Sequence, residues 1–243
     1  MSGYACRDCE DSGWLDTPDG NAVVACHCRE QLLASRRSRS LSAVIPRRYR
    51  GASFDRPPIS SMPSAQVDLV KSYVRQLDER LAEGRGLWFF GGVGTGKTTL
   101  AMLVSQAAID ARRGVAIYSL PRLLAEIRST FEDDAEGGYV DLLDRLAEID
   151  LLQIDDLGAE KTSAWVLEQL YSIVNARYEA QRSIIVTTNL ERDELAVQIG
   201  ERTVSRLEEM CELCPLFGED KRRFEAVDMR DKDQPPAPDL RLA

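Results

Sequence analysis

Short apolar runs recur along the chain from about residue 85 onward, and stretches with apolar positions at helical spacing separate them. Four such runs are Leu87–Phe90, Val115–Tyr118, Leu151–Ile154 and Ile184–Thr187. Strands that are buried on both faces of a parallel sheet show this continuous apolar pattern, and amphipathic crossover helices connect them. The pattern therefore predicts an α/β domain with a parallel sheet.

Two of the intervening stretches have an apolar face of the kind that packs against a sheet. The positions that form these faces are Leu100, Leu103, Val104 and Ala107 in the first stretch, and Leu167, Leu170, Tyr171, Val174 and Tyr178 in the second. We expect both stripes to belong to the hydrophobic core rather than to a cofactor site.

The composition of the chain changes along its length. Residues 1–28 are polar and cysteine-rich, residues 29–62 are basic and interrupted by prolines, and regular patterns begin near residue 65. Prolines and composition shifts of this kind mark domain boundaries, which we place near residues 45–60. The expected parts are an N-terminal module and basic linker over 1–50, a main domain over 51–230, and a mobile tail over 231–243.

The net charge and the residues at the start of the sequence exclude some classes of protein. The 243 residues include 31 basic and 40 acidic side chains, which gives a net charge of −9. This balance argues against bulk attraction to nucleic acid, so any DNA contact must be local. The basic stretch from Arg29 to Arg50 is either a solvated linker or such a local surface. No basic segment precedes an apolar run at the start, and we expect a soluble, cytoplasmic protein without a membrane partner.

A glycine-rich segment directly follows the first apolar run. Gly91-Gly92-Val93-Gly94-Thr95-Gly96-Lys97-Thr98 has the phosphate-loop pattern, with a strand ending at Phe90 and a helix expected to begin at Lys97. Glycines let successive backbone N–H groups turn toward anionic phosphates. Lys97 supplies a cation, the Thr98 hydroxyl suits Mg²⁺, and Thr99 completes the nucleotide-binding set. The segment predicts binding and hydrolysis of ATP with magnesium.

Two further strand ends supply candidate catalytic groups. Asp155 and Asp156 follow the run Leu151–Ile154, where Asp155 would hold Mg²⁺ and Asp156 could orient and deprotonate the attacking water. Asn189 follows the run Ile184–Thr187, and its amide could sense the γ-phosphate. The alternative for Asn189 is a cap on the next helix, which is expected to begin at Glu191.

Together these segments resemble the AAA+ ATPases, and within them the bacterial replicative helicase loaders of the DnaC and DnaI type, which are related to the transposition helper ATPase IstB. The resemblance extends over nearly the whole chain. The segments that carry it, in order, are Ile45–Tyr49, Ser53–Asp55, Gly91–Thr98, Asp155–Glu160, Asn175–Tyr178, Thr187–Leu190 and Gly200–Leu207.

The resemblance implies roles for residues outside the phosphate loop. Asn189 resembles the first sensor, and Arg206 resembles the arginine finger that enters the ATP site of a neighbouring subunit. Such an arginine stabilises charge on the transferring phosphoryl group and changes the rate by roughly 10³–10⁵ in related chemistry. Arg222 resembles the second sensor, and the neighbouring Arg223 is the alternative.

Two features depart from the broad AAA+ pattern. The usual second carboxylate is Glu, whereas Asp156 is one methylene shorter. The chain after Arg223 is too short for the usual helical lid, a shortening that also resembles the loader and IstB branch. The resemblance thus implies a three-layer AAA+ domain with no lid or a much reduced one.

The N-terminal cysteines have metal-site spacing. Cys6 and Cys9 form a Cys-x-x-Cys pair, and Cys26 and Cys28 form a Cys-x-Cys pair after a turn-rich stretch. Four thiolates suit tetrahedral Zn²⁺, and so short a module folds with difficulty without metal. His27 could replace Cys26 or Cys28, but the loader resemblance favours the four cysteines. Disulfides, free thiols and an iron–sulfur cluster are the alternatives.

The remaining pair, Cys211 and Cys214, lacks a second pair of cysteines nearby, and we expect buried thiols there.

The function implied by the resemblance is ATP-driven loading of a replicative DNA helicase onto single-stranded DNA, with ATP-dependent self-association. One alternative is an IstB-like helper on duplex DNA, although the cysteine module speaks against it. The other is a zinc adaptor in which the nucleotide is only a structural switch.

Overall fold

The computed structural model of the chain describes residues 6–18, 20, 22–29, 32, 41, 44–131, 138–159 and 163–218. Its strands are β1 Trp14–Asp16, β2 Val23–Ala25, β3 Gly86–Phe90, β4 Val115–Ser119, β5 Leu151–Asp155, β6 Ser183–Thr188 and β7 Cys211–Pro215. Its α-helices are α1 Ser64–Arg75, α2 Leu77–Ala82, α3 Lys97–Asp110, α4 Leu120–Ser129, α5 Gly138–Glu148, α6 Ala164–Glu179, α7 Arg192–Ile199 and α8 Glu201–Met210.

Five strands form one sheet in the order β4-β5-β6-β3-β7, and each neighbouring pair is parallel. The four apolar runs are strands β3 to β6, each extended by one or two residues. Helices connect them across both faces of the sheet, which explains why the runs are apolar without interruption. The predicted α/β fold with a parallel sheet is confirmed.

The edge strand β7 is an addition that the sequence pattern did not predict. It begins directly after α8 and pairs with β3, with Leu87 opposite Glu212 and Phe90 opposite Pro215. Glu212 and Leu213 are exposed because β7 has a neighbour on one side only. A charged residue and a proline within five positions remove the apolar signature of a buried strand.

Two hydrophobic clusters cover the two faces of the sheet and create a three-layer arrangement. On one face, α1, α2 and α3 pack on alternate residues of β3, including Leu87 and Phe89. On the other face, α4 to α8 pack on Trp88 and on the opposite residues of β5 and β6. The predicted three-layer domain is confirmed.

The segment before α1 packs onto the same core. A 3₁₀ helix at Arg47–Tyr49 and another at Ile59–Ser61 bring Ile45, Ile59 and Met62 against the α1 and α3 side. Met62 lies directly over the phosphate loop, since a Cβ atom at Gly96 would come within 1.8 Å of its Cε atom. The segment 45–62 therefore contributes buried side chains to the core of the main domain.

The cysteine-rich part contains a small antiparallel hairpin. Strands β1 and β2 pair with Trp14 opposite Ala25 and Asp16 opposite Val23. Three of the cysteines, Cys6, Cys9 and Cys26, are buried in a cluster that is separate from the two clusters on the sheet. None of the helices in the described ranges is long and apolar enough to cross a membrane.

Candidate nucleotide site and cysteine cluster

The loop between β3 and α3 has the geometry that its glycines permit. The predicted helix start is confirmed, since α3 begins at Lys97 with Gly96 as its N-cap at φ +98°. A Cβ atom at Gly91 would lie 2.3 Å from the Leu216 carbonyl oxygen, so this glycine is also required where the chain after β7 passes the loop. The backbone N–H groups at the start of α3 have no partner within the helix, so they can donate to an anion.

The side chains of the loop are ordered by its own carbonyl groups. The buried Lys97 donates from Nζ to the carbonyl oxygens of Gly91 at 2.7 Å and Gly92 at 2.6 Å. Thr95 donates from Oγ1 to the Gly92 carbonyl oxygen at 2.9 Å. The ammonium group is therefore held at the mouth of the loop, at the N-terminal end of α3.

Asp155 is the last residue of β5 and lies beside the loop. Burial raises the pKa of its carboxyl group, while hydrogen bonds with Thr187 and Thr98 and the charge of Lys97 oppose that effect. Thr187 donates from Oγ1 to Asp155 Oδ1 at 2.7 Å. A carboxylate and the Thr98 hydroxyl side by side are hard oxygen donors of the kind that Mg²⁺ prefers.

The next acid, Asp156, has a left-handed backbone at φ +62°. This conformation turns the chain sharply at the end of β5, and Asp tolerates it better than most residues. Asp156 accepts a hydrogen bond at Oδ1 from Asn189 Nδ2 at 3.0 Å, while its N–H donates to Thr187 Oγ1 at 2.9 Å. The carboxylate is exposed to solvent and contacts Asn189 directly after β6, whereas the backbone N–H contacts Thr187 within β6.

Asn189 does not cap the next helix. That helix, α7, begins at Arg192, one residue later than expected, and its cap is Glu191, which forms a capping box with Glu194. Because Glu191 caps α7, the Asn189 amide is available to donate to the carboxylate of Asp156, which directly follows the neighbouring strand β5. The alternative explanation of Asn189 as a cap is wrong.

These groups converge on a cleft of about 560 Å³. From the predicted set it is lined by Val93, Gly94, Gly96, Lys97, Thr98, Thr99, Asp155, Asp156 and Asn189. Sequence reasoning missed Thr187 and a second wall that consists of Arg48, Tyr49, Gly51, Ala52, Pro57 and Pro58. The segment Ile45–Tyr49 was noted as a marker of family resemblance. It lies more than 40 residues before the loop in the sequence, so no local pattern indicated that it would line the same cleft.

Arg206 does not line this cleft. It lies half-buried on α8, where its guanidinium Cζ atom is 4.5 Å from the centre of the Tyr178 ring and 5.8 Å from that of Tyr171. Within one chain, the residue predicted as an arginine finger is therefore separate from the other predicted site residues. Arg222 and Arg223, the candidates for the second sensor, and the tail 231–243 lie outside the described residues.

The four N-terminal cysteines come together at the end of the hairpin. Their sulfur atoms all lie within 4.8 Å of one another, with Cys6 and Cys26 3.7 Å apart and Cys9 and Cys28 3.2 Å apart. Tetrahedral Zn²⁺ with sulfur at about 2.3 Å needs sulfur separations of about 3.8 Å, so the set fits the ion. The separations exceed the roughly 2 Å of a disulfide bond. The cluster is compatible with zinc.

The backbone supports this cluster, and His27 lies beside it. The Gly13 N–H donates to Cys9 Sγ at 3.3 Å, a contact that orients and stabilises a thiolate. His27 has its Nε2 atom 4.0 Å from Cys6 Sγ and its Nδ1 atom 3.7 Å from the Asp8 carboxylate, with both side chains exposed. A second, more open donor set of Cys6, Asp8 and His27 therefore overlaps the first.

Cys211 and Cys214 are buried, as predicted. Their positions on β7 place them in the hydrophobic clusters on opposite faces of the sheet. Burial raises the pKa of each thiol to about 12. Because the two side chains point to opposite faces, they do not form a second metal pair.

Comparison with known proteins places the chain in a family. Residues 72–223 match the family described as IstB-like ATP binding protein, which is more than half of the chain. The chain belongs to this family. An ATP-binding family with this phosphate loop implies use of a nucleotide and Mg²⁺, and it suggests ATPase activity.

Curated relatives of the chain are replicative helicase loaders. The chain is 29% identical over 160 residues to the loader DnaC of Buchnera aphidicola subsp. Baizongia pistaciae, covering 65% of this chain and 64% of that protein. It is 27% identical over 153 residues to DnaC of Escherichia coli K12, covering 63% of this chain and 61% of that protein. The matches thus span slightly less than two thirds of these relatives.

A solved structure has the same fold. The crystal structure of the DnaC helicase loader matches with a TM-score of 0.60 and 28% identity, covering 70% of this chain and 99% of the solved one. The resemblance of the chain to the AAA+ helicase loaders is therefore confirmed at the level of family and fold.

Proposed function

We propose that the protein binds and hydrolyses ATP to load a replicative DNA helicase onto single-stranded DNA. The observation that carries the proposal is the nucleotide cleft, with its loop, two acids and amide, in a chain 28% identical to a solved DnaC helicase loader over 70% of its length. ATP binding would be coupled to self-association. In this proposal the protein acts in the cytoplasm.

Within one subunit, the cleft provides the groups that phosphoryl transfer needs. Backbone N–H groups of Gly94 to Lys97 and the Lys97 ammonium would take the phosphates, and Thr98 and Asp155 would hold a Mg²⁺ ion that offsets their charge. Asp156 receives the proton of the attacking water, and Asn189 fixes that carboxylate through the hydrogen bond at 3.0 Å. Positioning by these groups accounts for catalysis without a covalent intermediate.

The second wall of the cleft suits the nucleoside. Tyr49 and Pro58 are partly buried, and Arg48 is exposed beside them. With the phosphates in the glycine-rich loop, this wall would be the surface that takes the base and ribose. Aromatic and proline surfaces take up a purine without hydrogen bonds to specific backbone groups.

Completion of the site requires a second subunit. Arg206 lies outside the cleft of its own chain, and its position on the surface of α8 leaves it accessible to a neighbour. An arginine supplied in trans stabilises charge on the transferring phosphoryl group. ATP would thus promote assembly, and assembly would promote hydrolysis.

The zinc module provides a distinct surface for the helicase. Trp14, Val23 and Val24 are exposed on the β1-β2 hairpin, next to the metal-compatible cysteine cluster. Trp14 and Val23 lie on one face of the hairpin and Val24 on the other, and exposed apolar side chains on a small module are typical of protein interfaces. We assign helicase binding to this module and the ATP cycle to the main domain.

The test is copurification of the full chain with the replicative helicase of the same organism, followed by ATP hydrolysis with single-stranded DNA. We expect a helicase complex that is lost in Cys6→Ser, and hydrolysis that falls by about 100-fold or more in Asp156→Asn. Cys211→Ser is the matched control for loss of a thiol outside the module, and it should keep the complex.

Three results would contradict parts of the proposal. Absence of a helicase complex together with a preference for duplex DNA would support an IstB-like helper instead. Equal, negligible hydrolysis by the wild type and Asp156→Asn would support a zinc adaptor with a nucleotide switch. A helicase complex that survives in Cys6→Ser would separate the cysteine cluster from helicase binding.

A further inference from the structure

Arg206 on α8 rests against two tyrosine rings of α6. Its Cζ atom lies 4.5 Å from the ring centre of Tyr178 and 5.8 Å from that of Tyr171. These tyrosines are seven positions apart, so they lie two turns apart on one face of the helix. Both distances are within the range in which an aromatic face attracts a guanidinium group.

The Tyr178 ring is itself fixed to α8. Its hydroxyl donates to Glu209 Oε2 at 2.7 Å, and Glu209 follows Arg206 by three positions, on the same side of the helix. The backbone carbonyl of Glu209 accepts a hydrogen bond from Arg85 Nη1 at 2.8 Å. The ring and the end of α8 are therefore held in one arrangement from both sides.

Arg206 retains an unused hydrogen-bond donor in this arrangement. Its Nε atom is buried and has no partner among the described residues. The nearby Arg192, in contrast, is surrounded by the carboxylates of Glu201 and Glu208. A buried donor without a partner is costly, so this arrangement of Arg206 is less stable than a fully hydrogen-bonded one.

We propose that Tyr171 and Tyr178 are positioning residues that hold Arg206 ready for the ATP site of a neighbouring subunit. The proposal rests on the proposed function, in which Arg206 acts in trans. A free arginine side chain loses considerable rotamer entropy when it becomes fixed, and the rings impose this restriction before assembly. The rings carry no formal charge, so they hold the guanidinium group without neutralising the charge that a phosphate would meet.

A simpler explanation of the contact between Arg206 and the two tyrosine rings is that it only stabilises the packing of α6 against α8. The two explanations differ in which subunit is affected. Loss of packing impairs a subunit whether it provides the ATP site or the arginine. Loss of positioning impairs a subunit only when it provides the arginine.

Mixed assemblies of full-length variants separate the two roles. Lys97→Ala lacks a working ATP site and retains Arg206, whereas Arg206→Ala retains the ATP site and lacks the arginine. We expect each variant alone to be inactive and the mixture to recover hydrolysis. Tyr178→Leu is then added to one partner or to the other, and each variant is checked for its melting temperature and for ATP binding where its site is intact.

The expected result depends on the placement of the substitution. In the Lys97→Ala subunit, Tyr178→Leu should lower the recovered rate by roughly tenfold, because the arginine donor loses its closest ring. In the Arg206→Ala subunit, the same substitution should leave the recovered rate unchanged. Tyr178→Phe keeps the ring and should retain most of the rate in either placement.

A matched control lies on the same helix. Trp165 forms the corresponding contact with Arg128, whose Cζ atom lies 4.8 Å from the centre of the ring. Trp165→Leu removes from α6 the aromatic ring that contacts Arg128, and it does not alter the surroundings of Arg206. It should leave the recovered rate unchanged in both placements.

The failures of the two proposals are distinguishable. If the mixture recovers hydrolysis and Tyr178→Leu lowers the rate equally in both placements or in neither, the positioning role is wrong and action in trans stands. If the wild type hydrolyses ATP but the mixture recovers nothing, Arg206 does not act in trans, and both ideas fail. If the wild type itself is inactive, the enzymatic part of the proposed function fails, and the positioning role fails with it.

Discussion

Thr187 shows at the level of a single residue how the candidate site is held together. Its Oγ1 atom donates to Asp155 at 2.7 Å and accepts from the Asp156 N–H at 2.9 Å, so one hydroxyl orders both acids. The sequence marked the acids because they follow an apolar run. It marked Thr187 only as the end of an apolar run and as part of a segment of family resemblance, since the role of its hydroxyl depends on the pairing of β5 with β6.

Replacement of Thr187 by valine is expected to lower ATP hydrolysis by roughly tenfold and the free energy of unfolding by about 1–2 kcal/mol. The shape of the side chain is retained, but Asp155 loses a donor and the Asp156 N–H loses an acceptor. Steady-state hydrolysis and urea unfolding measure the two effects.

Thr188→Val is the matched control for this prediction. The Thr188 hydroxyl donates to the Leu157 carbonyl oxygen at 2.7 Å and does not contact either acid. We expect a similar loss of stability with a smaller loss of activity. Equal activity losses in the two variants would mean that Thr187 acts on the fold and not on the acids.

Arg177 is a fully buried cation with a structural role. Its guanidinium group donates to four carbonyl oxygens, and burial lowers its pKa to about 9. These carbonyl groups belong to Leu146, Ile149, Asp150 and Ser183. These contacts join the end of α5 and the approach to β5 with the first residue of β6. The segment Asn175–Tyr178 was marked in the sequence by family resemblance alone, and the structure supplies the physical reason for the arginine.

Arg177→Lys should lower the free energy of unfolding by about 2–4 kcal/mol, because the three donors of one ammonium group cannot satisfy four separate carbonyl groups from one buried position. Urea unfolding measures this loss. Arg182→Lys serves as the control, since Arg182 is partly exposed and pairs with Asp150 at 3.3 Å. A surface pair of this type contributes less than about 1 kcal/mol. Equal losses in the two variants would exclude the proposed role of the carbonyl groups.

At the level of elements, the strand β7 differs most from expectation. Its residues Cys211 and Cys214 were correctly predicted as buried, yet no strand was predicted around them. An edge strand has one paired side, so its solvent-facing positions accept Glu212 and its end accepts Pro215. Only the parallel pairing with β3 identifies the segment as part of the sheet.

The buried thiols of β7 should resist alkylation in the native protein. With a pKa of about 12, each thiol is almost entirely protonated at pH 8, and reactivity requires the thiolate. After metal is removed with a chelator, we expect a maleimide to modify the four N-terminal cysteines within minutes. Cys211 and Cys214 should react only in denaturant. Rapid modification of Cys214 under native conditions would show that β7 opens from the sheet.

For the whole molecule, the cysteine module and the nucleotide domain have different sources of stability. The module has a cluster of three buried cysteines with Leu15 and Cys28 packed against it, whereas the sheet has two large hydrophobic clusters. Small modules of this size depend on metal ligation for folding. The larger domain is stabilised by buried apolar surface.

Removal of metal should therefore affect the two parts unequally. We expect a chelator to make the first 32 residues sensitive to protease while the affinity of the main domain for ATP changes by less than about twofold. Limited proteolysis and a fluorescent ATP analogue measure the two effects. Restored protection after zinc is added back is the control. Loss of ATP binding upon chelation would show that the two parts depend on each other.

The sequence alone determined the strands β3 to β6, the phosphate loop and the two acids, because each depends on a local pattern of apolar periodicity, glycines and charge. The cysteine spacing likewise indicated a metal-compatible cluster. Only the tertiary structure decided that parts of the segment 48–58 line the cleft and that Thr187 joins the acids. It also decided that Arg206 lies against Tyr171 and Tyr178 rather than in the lining of its own cleft. These contacts join residues from different strands and helices, and they are set by the packing of the sheet and its layers rather than by the neighbours of each residue along the chain.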